Sequence, residues 1–222
     1  MPETNGKELS RLGIVEWVGR TGAVVIMRRL ELELTLGVVE AVLEGGLDVV
    51  EVTTDSASAF ATIGEIRERV GDRALVGAGT VLHAAAAIQA IDAGAQFVVA
   101  PNTDTDVIKV CDRLDVPVMP GGFTPTEITR AAELGADVVK VFPARLGGPK
   151  YIADVLAPMR GFRLLPTGGV SPENAGDYIR AGAFAVGIGS ALVGSELVEG
   201  RDWPGITRAA RRLADGIAAA RS

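Results

Sequence analysis

The chain has 222 residues, of which 48% are hydrophobic and 23% are charged, a composition typical of a folded protein with a substantial core. Wholesale disorder is therefore excluded. The net charge of −6 argues against nucleic acid and anionic membranes as partners, because both bind basic surfaces. The N-terminus is polar and no apolar run reaches membrane-spanning length, so we expect a cytoplasmic protein.

Two scarce residue types narrow the possible chemistry. Cys111 is the only cysteine, so intramolecular disulfides and zinc sites built on cysteine pairs are excluded. His83 is the only histidine and no nucleophile elbow is present, which together argue against a serine hydrolase.

The chain opens with an amphipathic stretch, residues 6–19, which predicts a helix that closes one end of the fold. After it, one unit recurs: a short apolar run, a polar or glycine-rich corner and a helical stretch. The predicted strands are 23–28, 48–53, 74–80, 96–102, 116–121, 137–144, 163–169 and 185–190. The predicted helices lie near 36–45, 57–70, 83–93, 104–114, 125–135, 149–158, 172–181 and 203–219.

This alternation predicts an α/β fold in which helices cover a parallel sheet, because the strands are apolar on both faces. Eight such units in a chain of this length favour a closed (β/α)8 barrel, the TIM barrel, with an additional N-terminal helix. An open doubly wound sheet is the alternative. No linker or change in composition divides the chain, so a single domain is expected over residues 1–222.

A lysine interrupts the sixth apolar run. Along a strand, Val138, Lys140 and Phe142 share one face. Burying an unpaired ammonium is costly, so this lysine either reaches water at the strand end, loses its proton or pairs with an anion. A desolvated lysine can attack a carbonyl and form a Schiff base at neutral pH.

Glu51 has the matching phase in the second run, where Val49, Glu51 and Thr53 share one face. If the opposite face meets helices, Glu51 and Lys140 both point into the middle of the fold. Taken alone, two opposite charges there are explained equally well by a buried ion pair and by an active site.

Polar residues close or nearly close most of the strands, at the end where barrel enzymes place their chemistry. They are Arg28, Glu51, Thr80, Pro101, Lys140, Thr167 and Ser190. Glycine-rich corners at 166–172 and 187–191 offer free N–H groups that suit a phosphate, with simple tight turns as the alternative. Neither corner matches a Walker loop or a dinucleotide fingerprint, so no nucleotide cofactor is expected.

Six motifs occur in a fixed order: 50–53 (VEVT), 77–81 (GAGTV), 100–101 (AP), 120–121 (PG) with 124–127 (TPTE), 140–144 (KVFPA) and 166–169 (PTGG). In order and spacing they resemble the 2-keto-3-deoxy-6-phosphogluconate (KDPG) and 4-hydroxy-2-oxoglutarate (KHG) aldolase family. The resemblance extends from about residue 24 to residue 192.

The resemblance implies a class I aldolase, a lyase that reversibly cleaves a 2-keto-3-deoxy acid to pyruvate and an aldehyde. KDPG, which would give glyceraldehyde 3-phosphate, is the leading substrate. Lys140 would form the Schiff base, and Glu51 would be the general acid/base that moves protons through a bound water. No cofactor or metal is implied, because the iminium is the electron sink. A homotrimer is the implied assembly.

The resemblance also implies how the substrate is bound. Thr80 would hold the pyruvyl carboxylate, and Pro101 and Phe142 would line an apolar wall beside the lysine. Thr167 would lie near the substrate hydroxyls, and the glycine corners would bind the distal phosphate. The full set of implied substrate-binding residues is Arg28, Thr80, Pro101, Phe142, Thr167, Gly168, Gly169, Gly189 and Ser190.

Other functions remain as alternatives. One is a family aldolase that acts on KHG or on 2-keto-3-deoxy-6-phosphogalactonate. Another is a phosphate-binding barrel isomerase or synthase, which would not need an inward lysine. A third is a non-catalytic barrel that binds sugar phosphates.

Asp55 departs from the family pattern. Many members carry an arginine four residues after the glutamate, where it helps to bind the substrate carboxylate, and here that position is Asp55. A carboxylate pointing inward would repel the same group. We expect Asp55 to turn outward and cap the next helix, with a different preferred keto acid as the alternative.

Overall fold

The structure, a computed structural model, describes residues 9–56 and 58–222, where strands and helices alternate. The strands are β1 (Ala23–Met27), β2 (Val49–Thr53), β3 (Leu75–Gly79), β4 (Val98–Val99), β5 (Val118–Met119), β6 (Gly121–Gly122), β7 (Val139–Val141), β8 (Leu164–Pro166) and β9 (Val186–Ile188). The helices are α1 (Arg11–Thr21), α2 (Leu32–Glu44), α3 (Ala59–Val70), α4 (Ala84–Asp92), α5 (Thr105–Arg113), α6 (Pro125–Glu133), α7 (Gly148–Leu156), α8 (Ala175–Arg180), α9 (Ser195–Glu199) and α10 (Trp203–Arg221). In this part of the chain, no helix combines the length and the apolar character needed to cross a bilayer.

The strands pair in parallel throughout the described ranges. Six of them form one sheet in the order β5-β4-β3-β2-β1-β9, and three form another in the order β6-β7-β8. The two sheets are close at both edges. Pro120 alone separates β5 from β6, and Thr167, directly after β8, pairs with Gly187 in β9. The predicted α/β class with parallel strands is therefore confirmed.

The strands are shorter than predicted, and prolines explain part of the difference. The predicted strand 116–121 is divided into β5 and β6 because Pro120, which lies between them, has no N–H to donate to a neighbouring strand. The predicted strand 96–102 narrows to the two residues of β4, and its ladder stops before Pro101. The prediction of one continuous strand at 116–121 was wrong.

Two helices also differ from the prediction. α2 begins at Leu32 instead of near residue 36, and the short helix α9 was not predicted. The alternating letters of Leu32-Glu33-Leu34 have a strand-like period of two, which conceals the first helical turn. α3 begins at Ala59, whereas the predicted helix began at residue 57, which lies outside the described ranges.

Two hydrophobic clusters separate the two faces of the strands. In β2 and β7 the outward residues, such as Val50 and Val139, belong to a large cluster that includes residues of the surrounding helices. The inward residues belong to a second cluster together with residues of α1. The members of this inner cluster are Ile14, Val15, Val18, Val24, Val49, Leu75, Phe97, Val99, Met119, Val138, Leu165 and Ala185. The strands are thus buried on both faces, as predicted.

α1 closes one end of the inner space. Its first turn is capped by Ser10, whose side chain accepts a hydrogen bond from the N–H of Gly13 at 3.1 Å. Arg11 holds the helix to the residues that precede β7, through an ion pair of 2.9 Å between its Nη2 and Oδ2 of Asp137. The predicted closing helix is confirmed over residues 11–19 and continues to Thr21, while its predicted first residues, 6–8, lie outside the described ranges.

The inner cluster yields a prediction about stability. Phe97 is fully buried, and its ring occupies the space that Gly77 leaves by having no side chain. Replacing Phe97 by alanine creates a cavity that the rigid strands cannot fill, so we expect Phe97→Ala to lower the free energy of unfolding by about 3–5 kcal/mol. Urea denaturation measures this change. Leu114→Ala, at an exposed position, is the control, and a Phe97→Ala protein as stable as that control would contradict the prediction.

Candidate active site

Lys140 is the middle residue of β7 and points to the inner side of the strands. Val138, two residues earlier, belongs to the inner cluster, whereas Val139 and Val141, which flank Lys140, belong to the outer one. The side chain of Lys140 is buried, with 4% of the residue exposed. In register, Lys140 lies opposite Gly121 on β6, where the backbone of Pro101 occupies the position that a side chain would take. The alternative of a lysine that reaches solvent is therefore wrong.

Glu51 lies on the same inner side. It is 1% exposed and pairs in register with Gly77 on β3. Its carboxylate lies over Gly79, where an added Cβ would overlap the carboxylate oxygen Oε1. The other oxygen, Oε2, is buried without a hydrogen-bond partner among the described residues. A buried oxygen of this kind needs an explanation, and a ligand or water at the site provides one.

Burial and mutual attraction act in opposite directions on these two groups. For Lys140, burial lowers the pKa, the charge of Glu51 raises it and the charge of Arg28 lowers it, with a net pKa below that of an ordinary lysine. For Glu51, burial raises the pKa, and the charges of Lys140 and Arg28 only partly offset this effect. No direct salt bridge joins the two among the ion pairs of the described residues. The sequence left a buried ion pair as one explanation of these two charges, and the two groups do not form such a direct pair.

An aromatic ring lies beside the amine, and a threonine follows the neighbouring strand β8. The ring centroid of Phe142 is 5.5 Å from Nζ of Lys140, and the ring lies where a side chain at Gly168 would be crowded. Thr167 is buried on β8's C-terminal side and donates a hydrogen bond to the carbonyl of Leu165 at 3.2 Å. The ring gives the amine one apolar wall, and Thr167 lies two residues beyond Leu165, which pairs with Lys140 in register.

Two arginine side chains directly follow β1 and contact residues that follow β3 and β2. Nη2 of Arg28 donates to Oγ1 of Thr80 at 3.3 Å, and Nε of Arg29 donates to Oδ2 of Asp55 at 3.0 Å. Asp55 does not cap the next helix: the N-cap residue of α3 is Ser58. The predicted helix cap was therefore wrong, because the cation of Arg29 offers the carboxylate a stronger partner.

A cavity of about 640 Å³ opens at the C-terminal ends of the strands. It brings together seven of the predicted residues: Arg28, Phe142, Thr167, Gly168, Gly169, Gly189 and Ser190. Gly168 and Gly169 have φ angles of 87° and 91°, which a residue with a side chain rarely adopts. Pro101 does not line this cavity but a neighbouring one of about 490 Å³, which shares Phe142 with it.

Comparison with known proteins decides the family. The family model described as KDPG and KHG aldolase matches residues 17–209. The chain belongs to the KDPG and KHG aldolase family. The 2-dehydro-3-deoxy-phosphogluconate aldolase of Treponema pallidum (strain Nichols) is 37% identical over 185 residues, 83% of this chain and 87% of the relative. The 2-dehydro-3-deoxy-6-phosphogalactonate aldolase of Escherichia coli (strain K12) is 35% identical over 179 residues, 80% of this chain and 87% of the relative.

A solved structure of the family has the same fold. The KDPG aldolase of Legionella pneumophila, with pyruvate captured at low pH as a covalent carbinolamine intermediate, superposes with a TM-score of 0.83. The two chains are 25% identical, and the match covers 90% of this chain and 97% of the other. The family resemblance predicted from the six motifs is confirmed. The KDPG and KHG aldolases are lyases, so this chain is an enzyme of that class.

Sequence reasoning missed several residues that line this aldolase's cavity, among them Arg29, Ser171, Gly187 and Ser195. Arg29 directly follows Arg28 at the same strand end, and Ser171 lies within a corner already singled out, so both had a signal in the sequence. Ser195 begins the unpredicted helix α9 and had none.

The electrostatics of this site predict a titration. We expect the amine of Lys140 to titrate at a lower pH than an ordinary lysine, because burial disfavours its charged form and lowers its pKa. We expect Glu51→Gln to lower the pKa of Lys140 further, because the variant removes the negative charge that favours the ammonium. Competitive labelling with acetic anhydride at a series of pH values, followed by peptide mapping, measures both. Labelling of exposed Lys109 in the same samples is the internal reference, and an upward shift in the variant would contradict the prediction.

Proposed function

We propose that this chain is a class I aldolase that cleaves a 2-keto-3-deoxy acid reversibly into pyruvate and an aldehyde, with Lys140 as the Schiff-base nucleophile. The observation that carries the proposal is the buried amine of Lys140, whose pKa is lowered and which has no direct salt bridge within the described residues. An amine in such surroundings is neutral more often and is therefore nucleophilic. The covalent carbinolamine of the Legionella pneumophila relative supports the same chemistry here.

We propose further that the two sheets form one closed (β/α)8 barrel, with α1 across the N-terminal ends of the strands. The single-residue step between β5 and β6 and the pairing of Thr167 with Gly187 support closure. A single domain over residues 1–222, a homotrimer and a cytoplasmic location stay predictions.

The reaction starts at the amine. Neutral Nζ of Lys140 attacks the C2 carbonyl carbon of the keto acid and forms a carbinolamine, and loss of water then gives a protonated iminium. When the C4 hydroxyl loses its proton, the C3–C4 bond breaks and its electrons move into the iminium. The products of this step are the aldehyde and the enamine of pyruvate. Protonation of the enamine at C3 and hydrolysis release pyruvate and restore the amine.

Glu51 moves the protons in this sequence. Its carboxylate accepts the proton of the C4 hydroxyl through a water and returns a proton to C3 of the enamine. A general base works best when its pKa lies near the operating pH, and burial raises the pKa of Glu51 in that direction. The unpartnered oxygen Oε2 is free to take part in such a transfer.

The other residues implied by the family resemblance bind the two ends of the substrate. Thr80 and Arg28 hold the carboxylate, Pro101 and Phe142 form the apolar wall, and Thr167 lies near the hydroxyls. The amides at Gly168, Gly169, Gly189 and Ser190 bind a distal phosphate. KDPG is the proposed substrate, giving glyceraldehyde 3-phosphate, and the 35% identity to a phosphogalactonate aldolase makes the galactonate-derived keto acid the second candidate. Turnover of these two compounds and of KHG, measured side by side, decides among them.

Trapping with pyruvate tests the nucleophile. Borohydride should reduce the Schiff base of pyruvate and add mass to the peptide that contains Lys140. Lys140→Arg should form no adduct, because a guanidinium stays protonated and cannot attack the ketone. Lys109→Arg, which removes an exposed lysine, is the matched control and should be trapped as the wild type is. An adduct on another lysine, or full cleavage activity in Lys140→Arg, would refute the assignment.

The role of Glu51 is tested by two substitutions. Glu51→Gln should lower turnover by about 10²- to 10⁴-fold, the usual contribution of a general acid/base. Gly79→Ala should lower turnover as well, because its methyl group displaces the carboxylate without changing its chemistry. Gly64→Ala, on α3, has only ordinary contact with its nearest neighbour and is the control. Unchanged turnover in Glu51→Gln together with a lower melting temperature would indicate that Glu51 is only structural.

A further inference from the structure

Asp55 has no role in the mechanism proposed above, although it lies beside the cavity. It is in the turn that follows β2, and its Oδ2 accepts the hydrogen bond from Nε of Arg29. Its Oδ1 is buried without a hydrogen-bond partner among the described residues. The side chain of Asp55 is 21% exposed and that of Arg29 is 69% exposed, so the pair joins a half-buried anion to an exposed cation that lines the cavity.

The charge of Asp55 also reaches Arg28. Burial raises the pKa of Asp55, but the hydroxyl of Thr53 and the charges of Arg28 and Arg29 outweigh it and hold the pKa below its usual value. Asp55 is therefore an ionised carboxylate at neutral pH. Arg28 in turn contacts Thr80, to which the proposed function gives the substrate carboxylate.

Asp55 thus controls how much positive charge the cavity offers to an anion. Arg28 and Arg29 both line the cavity, and Asp55 offsets one of their two charges. A carboxylate that is already bound to a guanidinium weakens binding of a second carboxylate nearby, because the two compete for the same donors and repel each other.

We propose that Asp55 is a positioning residue that, by pairing with Arg29, weakens binding of the carboxylate of pyruvate and so favours its release. This inference rests on the proposed aldolase function. The whole substrate is bound at its carboxylate and at its distal end, whereas pyruvate has the carboxylate alone. Weaker binding at that end costs both ligands the same free energy, but the substrate keeps its distal contacts, so pyruvate is the ligand left weakly bound and free to leave.

The test measures the pyruvate concentration at which borohydride trapping is half-maximal. Asp55→Asn should lower this concentration by about three- to tenfold, the effect expected from removing one partly screened charge near the ligand. Arg29→Gln should raise it by a similar factor. The double variant should lie close to the wild type, because it removes the pair without changing the net charge. In cleavage assays KM should move in the same directions and by more than kcat.

A purely structural role predicts a different pattern. Loss of the ion pair would then affect both single variants in the same direction and in proportion to their melting temperatures. Asp177→Asn, which breaks an exposed ion pair with Arg180 inside α8, is the matched charge control and should behave as the wild type.

The results separate this inference from the function on which it rests. Wild-type protein that forms no adduct with pyruvate overturns the proposed function. Wild-type protein that forms the adduct, together with an Asp55→Asn variant whose half-maximal concentration is unchanged or raised, overturns only the role of Asp55.

Discussion

Burial of an amine and a carboxylate on the inner side of the strands is the constraint on which the rest of the site depends. Large inward side chains need space, and glycines on neighbouring strands provide it. Gly79 leaves room for the carboxylate of Glu51, and Gly187 leaves room for Thr167. The same device serves packing alone at Gly77, which accommodates the ring of Phe97. Each of these glycines is therefore matched by a large side chain on a neighbouring strand, which either belongs to the candidate site or fills the core.

Stability and function are separated along the strands. Val49 and Val138 lie on the inner face near α1 and belong to the apolar cluster that this helix closes. One step of two residues further along each strand, the inner face carries Glu51 and Lys140 instead. Because side chains alternate with a period of two, one strand supplies both an apolar end and a polar end without changing its register. The apolar end packs against α1, and the polar end carries the two buried ionisable side chains.

The same periodicity explains how much could be predicted from the sequence. The alternation of side chains was sufficient to predict that Glu51 and Lys140 point inward, because the opposite face of each strand is apolar and packs against the covering helices. The strand lengths were not predictable in this way, because Pro120 removes a donor that a count of apolar letters does not register. The prediction that Asp55 caps the next helix was wrong for a different reason. A local capping rule pointed to the next helix, but its partner Arg29 lies 26 residues earlier and meets it only when β1 and β2 pair.

The charge of Arg28 acts on the pKa values of both Lys140 and Glu51. Its positive charge lowers the pKa of Lys140 and also lowers the pKa of Glu51. The first effect favours the neutral amine that can attack a ketone, and the second favours the ionised carboxylate that can accept a proton. The attraction between Lys140 and Glu51 favours the charged form of both and so opposes the first effect. Burial is the largest influence on both pKa values; the charge of Arg28 adds to it at Lys140 and partly offsets it at Glu51, and so favours a neutral amine beside an ionised carboxylate.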